Sequence, residues 1–340
     1  MKLDLRAGVF TCSLAAASLF GTVGASALET VRTYSIPFYT GFSVYVADQL
    51  DLFEKHGIET EPKWFPSGAP IIQAAAAKQW DMTFLGAPPA VLGGPTLGLK
   101  TVGMVVEEAP IHQLLGRPDF VEKVQADATA LKGARAFVTT LSTGHFMTEA
   151  CLQKIGVTQD DIQIIPSEQA ATVSAFAAGE GDLAQVWPPQ SSALRDRGAV
   201  VLCDAPMAGV SIPAVWVAHP DFAEKHPELV QAWIAANLDA VAWMREDFDR
   251  TLELYRKYDQ FRGFDTSEEG LAEEARLAMG ALSGAEQLEV MKAAEGETPY
   301  LVNSYTEIAK FFMRGGRLQE LPDYAPLVDA SYLEAVIAGN

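Results

Sequence analysis

The chain of 340 residues has few cysteines, little positive charge and, beyond its N-terminal segment, no long apolar run. Of its three cysteines, Cys12 lies in that segment, which leaves Cys151 and Cys203. The two could pair in an oxidising compartment. Cys151 falls on a helix face and Cys203 inside an apolar strand, so the reading is two buried thiols, with a disulfide as the alternative. Lys and Arg number 25 against 44 Asp and Glu, a net charge of −19. That balance argues against nucleic acid and anionic membrane surfaces as partners. It leaves a small anionic ligand open, because helix termini act over a few ångströms while distant surface charge is screened. After residue 27 nothing approaches the roughly 20 apolar residues of a spanning helix. His112 and His145 stand singly, without metal-ligand spacing, so no metal is expected. Gly-x-Ser-x-Gly, His-Glu-x-x-His and phosphate-loop patterns are missing too, and no cofactor is expected.

The N-terminus carries an export signal. Lys2 and Arg6 precede a small, apolar stretch over 7–24, and Ala25-Ser26-Ala27 has the small-x-small form of a peptidase site. Cleavage is expected after Ala27. Loss of Lys2, Asp4 and Arg6 (net +1) then takes the charge from −19 to −20. The remaining length suits two domains.

The chain is organised around residues 137–155, where an apolar strand breaks at Ser142-Thr143-Gly144 and resumes as a helix. Phe146, Met147, Ala150, Cys151 and Ile155 recur there at three- and four-residue steps. Small hydroxyl residues at an N-cap, free N–H groups and the positive dipole end make such a turn an anion site, or an ordinary capped turn. The unit occurs twice. Thr40-Gly41 matches Thr143-Gly144, Gly57-Ile58 matches Gly156-Val157, and Pro66-Ser67 matches Pro166-Ser167. Asp81 then matches Asp182, and Pro88-Pro89 matches Pro188-Pro189. The five offsets are 103, 99, 100, 101 and 100 positions. Shared order at nearly constant offset implies two similar lobes with a cleft between them. Strands are expected over 31–36, 60–65, 81–85, 101–106, 134–139, 162–165, 183–186, 199–203 and 214–218. Their alternation with helices predicts an α/β protein with mainly parallel sheets. From residue 220 onward the pattern is helical.

Taken in order, several stretches carry a family resemblance: Leu52-Phe53-Glu54-Lys55-His56-Gly57-Ile58, Ser67-Gly68, and Asp81-Met82-Thr83-Phe84-Leu85-Gly86-Ala87-Pro88. Leu131-Lys132-Gly133, Ser142-Thr143-Gly144 and residues 178–188 (AGEGDLAQVWP) continue it. With these the chain resembles the periplasmic solute-binding proteins of the nitrate/sulfonate/taurine class of ABC importers. The resemblance implies a two-lobed type II periplasmic-binding fold with ligand in the interlobe cleft. It implies lobe 1 from 28–109 and 218–340, lobe 2 from 110–217, and a periplasmic monomer serving a membrane permease. By position it implies a site built from Tyr39, Thr40 and Gly41, Ser67 and Gly68, Gly86 and Ala87, Ser142, Thr143 and Gly144, and Trp187. Glu107, Glu108, His112 and Trp216 lie near the expected crossings and within reach.

The ligand class implied is a small organic anion or zwitterion, sulfonate- or taurine-like. Thr-Gly turns offer donors to a sulfonate or carboxylate without a buried arginine. Trp187 is either an apolar wall or core, and the Tyr39 phenol can donate to an oxyanion. Glu107 and Glu108 suit an ammonium group, or are solvated hinge charges. Aromatics near acids also suit a quaternary ammonium. The competing functions are an exported enzyme on the same fold, similar to the pyrimidine-precursor synthases but without their cysteine-rich cluster, and a ligand-sensing protein for a membrane receptor.

Overall fold

A computed structural model describes residues 28–339. The leader, its expected cleavage point and Cys12 lie outside the described residues. Along the chain run β1 (Thr33–Ser35), α1 (Phe42–Gln49), β2 (Lys63–Trp64), α2 (Gly68–Ala76), β3 (Met82–Gly86), α3 (Ala87–Leu97) and β4 (Lys100–Glu107). Next come β5 (Gln113–Gly116), β6 (Arg135–Val138), α4 (Thr143–Ile155), β7 (Gln163–Pro166), α5 (Gln169–Ala177), β8 (Leu183–Val186), α6 (Gln190–Arg195), β9 (Val200–Asp204) and β10 (Pro213–Ala218). A helical part follows, with α7 (Pro227–Glu246), α8 (Phe248–Arg262), α9 (Glu268–Met279) and α10 (Tyr300–Arg314).

Two five-stranded sheets result, ordered β2-β1-β3-β10-β4 and β9-β5-β8-β6-β7. Both are mixed, and by the same device. In each, the first strand after the chain crosses between lobes is inserted antiparallel: β5 between β8 and β9, and β10 between β3 and β4. The other strands of each sheet run one way. The expectation of mainly parallel sheets therefore holds for four strands in five. β5 has no counterpart among the expected strands, since Gln-Leu-Leu-Gly is short and shows no alternation.

All six residues of β10 are buried. Trp216 is a correction to the candidate site. It lies fully buried in the first sheet opposite Phe84 and Gly103, with its ring edge-on to Trp233 of α7 at 5.6 Å. Trp233 in turn donates from Nε1 to Thr33 Oγ1 at 3.0 Å, which fastens the helical part to β1. Among the described residues no helix is long and apolar enough to cross a membrane.

A second correction concerns the cysteines. Cys151 of α4 and Cys203 of β9 form a disulfide, with Cα atoms 6.0 Å apart. The two residues are buried as expected, at 0 % and 2 % exposure, but the helix face and strand end meet within bonding distance, so neither is a free thiol. The bond closes a loop spanning 52 positions, for which chain entropy alone gives roughly 4 kcal/mol. The double variant Cys151→Ala/Cys203→Ala should lose about 2–4 kcal/mol in denaturant unfolding. A loss under 1 kcal/mol would show that the bond adds little to a core already closed by packing.

Candidate functional site

Strand ends from both sheets converge on one small cavity. It is lined by Ile36 and Phe38 beyond β1, Ser67 and Gly68 beyond β2, Gly86 at the end of β3 and Pro89 of α3. Glu108 and His112 come from the first crossing, and Ser142, Thr143 and Trp187 from the ends of β6 and β8. Ligands of open α/β sheets bind at such carboxyl ends, where helix N-termini also point. The free space is about 20 Å³, enough for roughly one water. The lobes are thus pressed together: a Cβ built on Gly86 would lie 2.1 Å from Thr143 Oγ1 across the cleft. Only glycine permits that approach. Ser67 Oγ also crosses the cleft, donating to Glu168 Oε1 at 3.3 Å.

The Ser142 turn is built as its sequence suggests. Ser142 caps α4, accepting from the His145 amide at 3.3 Å while its hydroxyl donates to Thr139 O at 2.6 Å. The amides of Thr143 and Gly144, at the first two helical positions, have no intrahelical acceptor. Leu141 enters the turn at φ 61° and gives its N–H to His145 Nδ1 at 3.2 Å. The proton of His145 is therefore on Nε2, which faces Glu149 Oε1 at 3.1 Å. Gln169 of α5 positions the opposite wall, since its Oε1 accepts from the Trp187 amide at 3.2 Å and its Nε2 donates to Thr139 Oγ1 at 3.0 Å.

The acidic side of the cavity is unusual. Glu108 is wholly buried, and its Oε2 lies 3.2 Å from His112 Nε2, itself 1 % exposed. Glu108 Oε1 and His112 Nδ1 have no partner among the described residues. Among the described residues no lysine or arginine lines the cavity. Desolvation raises the Glu108 carboxyl above its ordinary value, against the hydrogen bond and charge of His112. Trp187 stands edge-on to His112 at 5.6 Å and tilts toward Phe38 at 6.2 Å, which closes the cavity with aromatic surface.

Of the candidate residues, the cavity gathers Ser67, Gly68, Gly86, Glu108, His112, Ser142, Thr143 and Trp187. Tyr39 and Thr40 border an interior space with Ser43, Val105, Met244 and Leu277, behind the cavity and beside Glu108, whose carboxyl the Thr40 hydroxyl reaches, and Gly41 packs on Ile36 O. Ala87 is buried in the first turn of α3. Gly144 lies against Gln185, whose side-chain atoms come within 1.9 Å of where a Cβ would be. Glu107 is a correction: it points away from the cavity into the crossing segments, bound to Ser211, Ile212 and Tyr300. Ile36, Phe38 and Pro89 line the cavity as well, although they are not among the candidate site residues. Phe38 is held from behind, its carbonyl accepting from Tyr258 at 3.1 Å, next to the buried Arg262–Asp259–Glu274 ion cluster.

Burial of Glu108 has a measurable cost. Because its folded value is raised, its contribution to stability is full below the ordinary 4.5 and is lost as pH rises through the folded value. Glu108→Gln, which keeps an oxygen for His112, should therefore raise the melting temperature at pH 7 by a few degrees, about 1–3 kcal/mol, and gain less at pH 4. Thermal melts at both values check this. An equal gain at the two would remove ionisation as the cause.

Comparison with known proteins identifies the family and the fold. A model of the family described as NMT1/THI5 like matches residues 40–250. The taurine-binding periplasmic protein of Escherichia coli (strain K12) is 30% identical over 200 residues, covering 57% of this chain. The match spans 61% of that relative's own length, just under two thirds. Among solved structures, the alkanesulfonate-binding protein SsuA of Xanthomonas axonopodis pv. citri bound to MOPS superposes with a TM-score of 0.72 at 19% identity, over 89% of this chain and 99% of that one. The desulfurization enzyme DSZB shares the fold at a TM-score of 0.60 and 14% identity, over 92% of this chain and 99% of its own. The family model covers more than half of the chain, and the protein belongs to the NMT1/THI5-like family, with the two-lobed type II periplasmic-binding fold.

Proposed function

We propose that the protein is the solute-capturing component of an ABC importer, exported to the periplasm, and that its solute is a small zwitterion. An aminosulfonate of the taurine kind fits best. The observation that carries this reading is Glu108, a fully buried carboxylate with one oxygen unpartnered in a cavity free of lysine and arginine. Such a group calls for a cation with N–H donors, which a primary ammonium supplies. The turn at Ser142 and Thr143 offers the Thr143 hydroxyl, amides without an intrahelical acceptor and a helix N-terminus to the anionic end, while the Ser142 hydroxyl is spent on Thr139 O. The names of the taurine- and alkanesulfonate-binding relatives support a sulfonate at that end. Entry of any such solute requires the lobes to part, since the closed cavity holds about 20 Å³, and reclosure would present the loaded form to a permease. A thiol-dependent reaction is disfavoured: Cys151 and Cys203, the cysteines among the described residues, are bonded to each other.

Titration calorimetry with taurine and with ethanesulfonate, its deaminated analogue, tests the reading. Glu108→Gln should weaken taurine by roughly 30-fold or more and leave ethanesulfonate unchanged or tighter. Thr143→Ala should weaken both by about tenfold. Equal loss of both ligands in Glu108→Gln would assign Glu108 a structural role. Because burial raises its carboxyl, taurine affinity should also fall as the medium is acidified toward that value, and should do so less in Glu108→Gln.

A further inference from the structure

Glu107, the last residue of β4, accepts four hydrogen bonds and faces away from the cavity. Two segments join the lobes, residues 108–112 between β4 and β5 and residues 205–212 between β9 and β10. Glu107 Oε1 accepts from the Ile212 amide at 2.5 Å and from the Ala109 amide at 3.1 Å, one donor from each crossing. Its Oε2 accepts from Ser211 Oγ and from the Tyr300 hydroxyl of α10, both at 2.8 Å. Ser211 Oγ and the Tyr300 hydroxyl lie 2.6 Å apart, so the three groups close a ring of contacts that shares two hydroxyl protons. Beside it the Glu108 amide donates to Ile212 O at 2.8 Å.

We infer that Glu107 is a positioning residue of the hinge: a clamp that fixes the two crossings to each other and to α10, and so sets the range over which the lobes move. The inference rests on the reading of the protein as one that closes two lobes on a solute. Four bonds to one carboxylate at the end of β4 leave little freedom on the lobe 1 side. Rotation is confined to 109–112 and 205–211. The clamp also holds the backbone on both sides of Glu108, so the neighbouring carboxylate keeps its aim into the cavity as the lobes turn. A strand end suits this division, because consecutive side chains point to opposite faces: Glu108 inward, Glu107 toward the second crossing. Tyr300 ties the pair to lobe 1 at the rim of a groove between α4 and α10, where Phe146 meets Phe311 at 4.8 Å.

The test places fluorophores on Lys123→Cys in lobe 2 and Lys257→Cys in lobe 1, both exposed, in a Cys12→Ser background. The interlobe distance distribution is read without ligand and with taurine. Glu107→Ala should broaden the ligand-free distribution and weaken taurine at least tenfold through faster dissociation. Glu107→Gln, which still accepts from both amides and can donate to the two hydroxyls, should restore affinity to within threefold. Tyr300→Phe, which leaves the crossings paired, should broaden the distribution less and serves if Glu107→Ala fails to fold. A Glu107→Ala protein that melts lower yet keeps the wild-type ligand-free distribution overturns the inference, as does a Tyr300→Phe protein indistinguishable from wild type when it alone folds. A wild-type distribution that no bound solute shifts would instead count against lobe closure itself, and so against the proposed function.

Discussion

A carboxylate with one unpaired oxygen, buried where two sheets meet, is the constraint around which this molecule is arranged. Glu108 is dehydrated by both lobes at once, with His112 and the Thr40 hydroxyl as the side chains that ease its burial. An uncompensated buried charge weakens a fold unless its environment supplies a partner. Here the surroundings hold the charge in place rather than neutralise it. The β4–β10 pairing, the Glu107 ring and the aromatic wall of Phe38 and Trp187 all bear on the short stretch that carries it. A site that withholds stability from the empty protein returns it when the right cation arrives, which is how binding and folding free energies become linked.

The opposite wall works by geometry instead of charge. Gly86 lets β3 approach Thr143 of the other lobe, and Gly144 lets α4 start against Gln185. The first turn of α4 is thereby brought to the sheet ends of lobe 1. A ligand with opposite charges at its two ends would meet complementary partners in both lobes, and would draw them together more strongly than either end alone. The helix start is fixed in turn by Ser142 and by His145, which takes the Leu141 amide and leans on Glu149. Ordering the donors beforehand lowers the entropy lost on binding.

Much of this plan could be read from the residues because each half is local. A strand, a Thr-Gly turn and an amphipathic helix are written in consecutive positions, and their recurrence about a hundred residues later reveals two lobes before any contact is known. Where contacts between distant segments decide, local pattern is silent. Glu107 and Glu108 are adjacent acids, and only the register of β4 against β10 tells which one faces the cleft. Trp216 sits in a strand buried on both faces, so no alternation marks the side its ring takes. Cys151 and Cys203 are each apolar in context; that they touch depends on how α4 lies across β9. The turn at Tyr39 and Thr40 shares its motif with Ser142–Gly144 but not its geometry. It forms a 3-10 turn without a side-chain cap and faces the interior.

Charge pairing across the cleft can be read in a thermal-shift screen of residues 28–340. The panel would hold small sulfonates, amino acids, carboxylates, quaternary amines and inorganic anions. Stabilisation is expected only from compounds that carry a primary ammonium and an anionic group together, by about 2.7 kcal/mol at a hundredfold excess over the dissociation constant. Equal stabilisation by deaminated sulfonates or inorganic anions would contradict it, because Glu108 would then have no cation to hold.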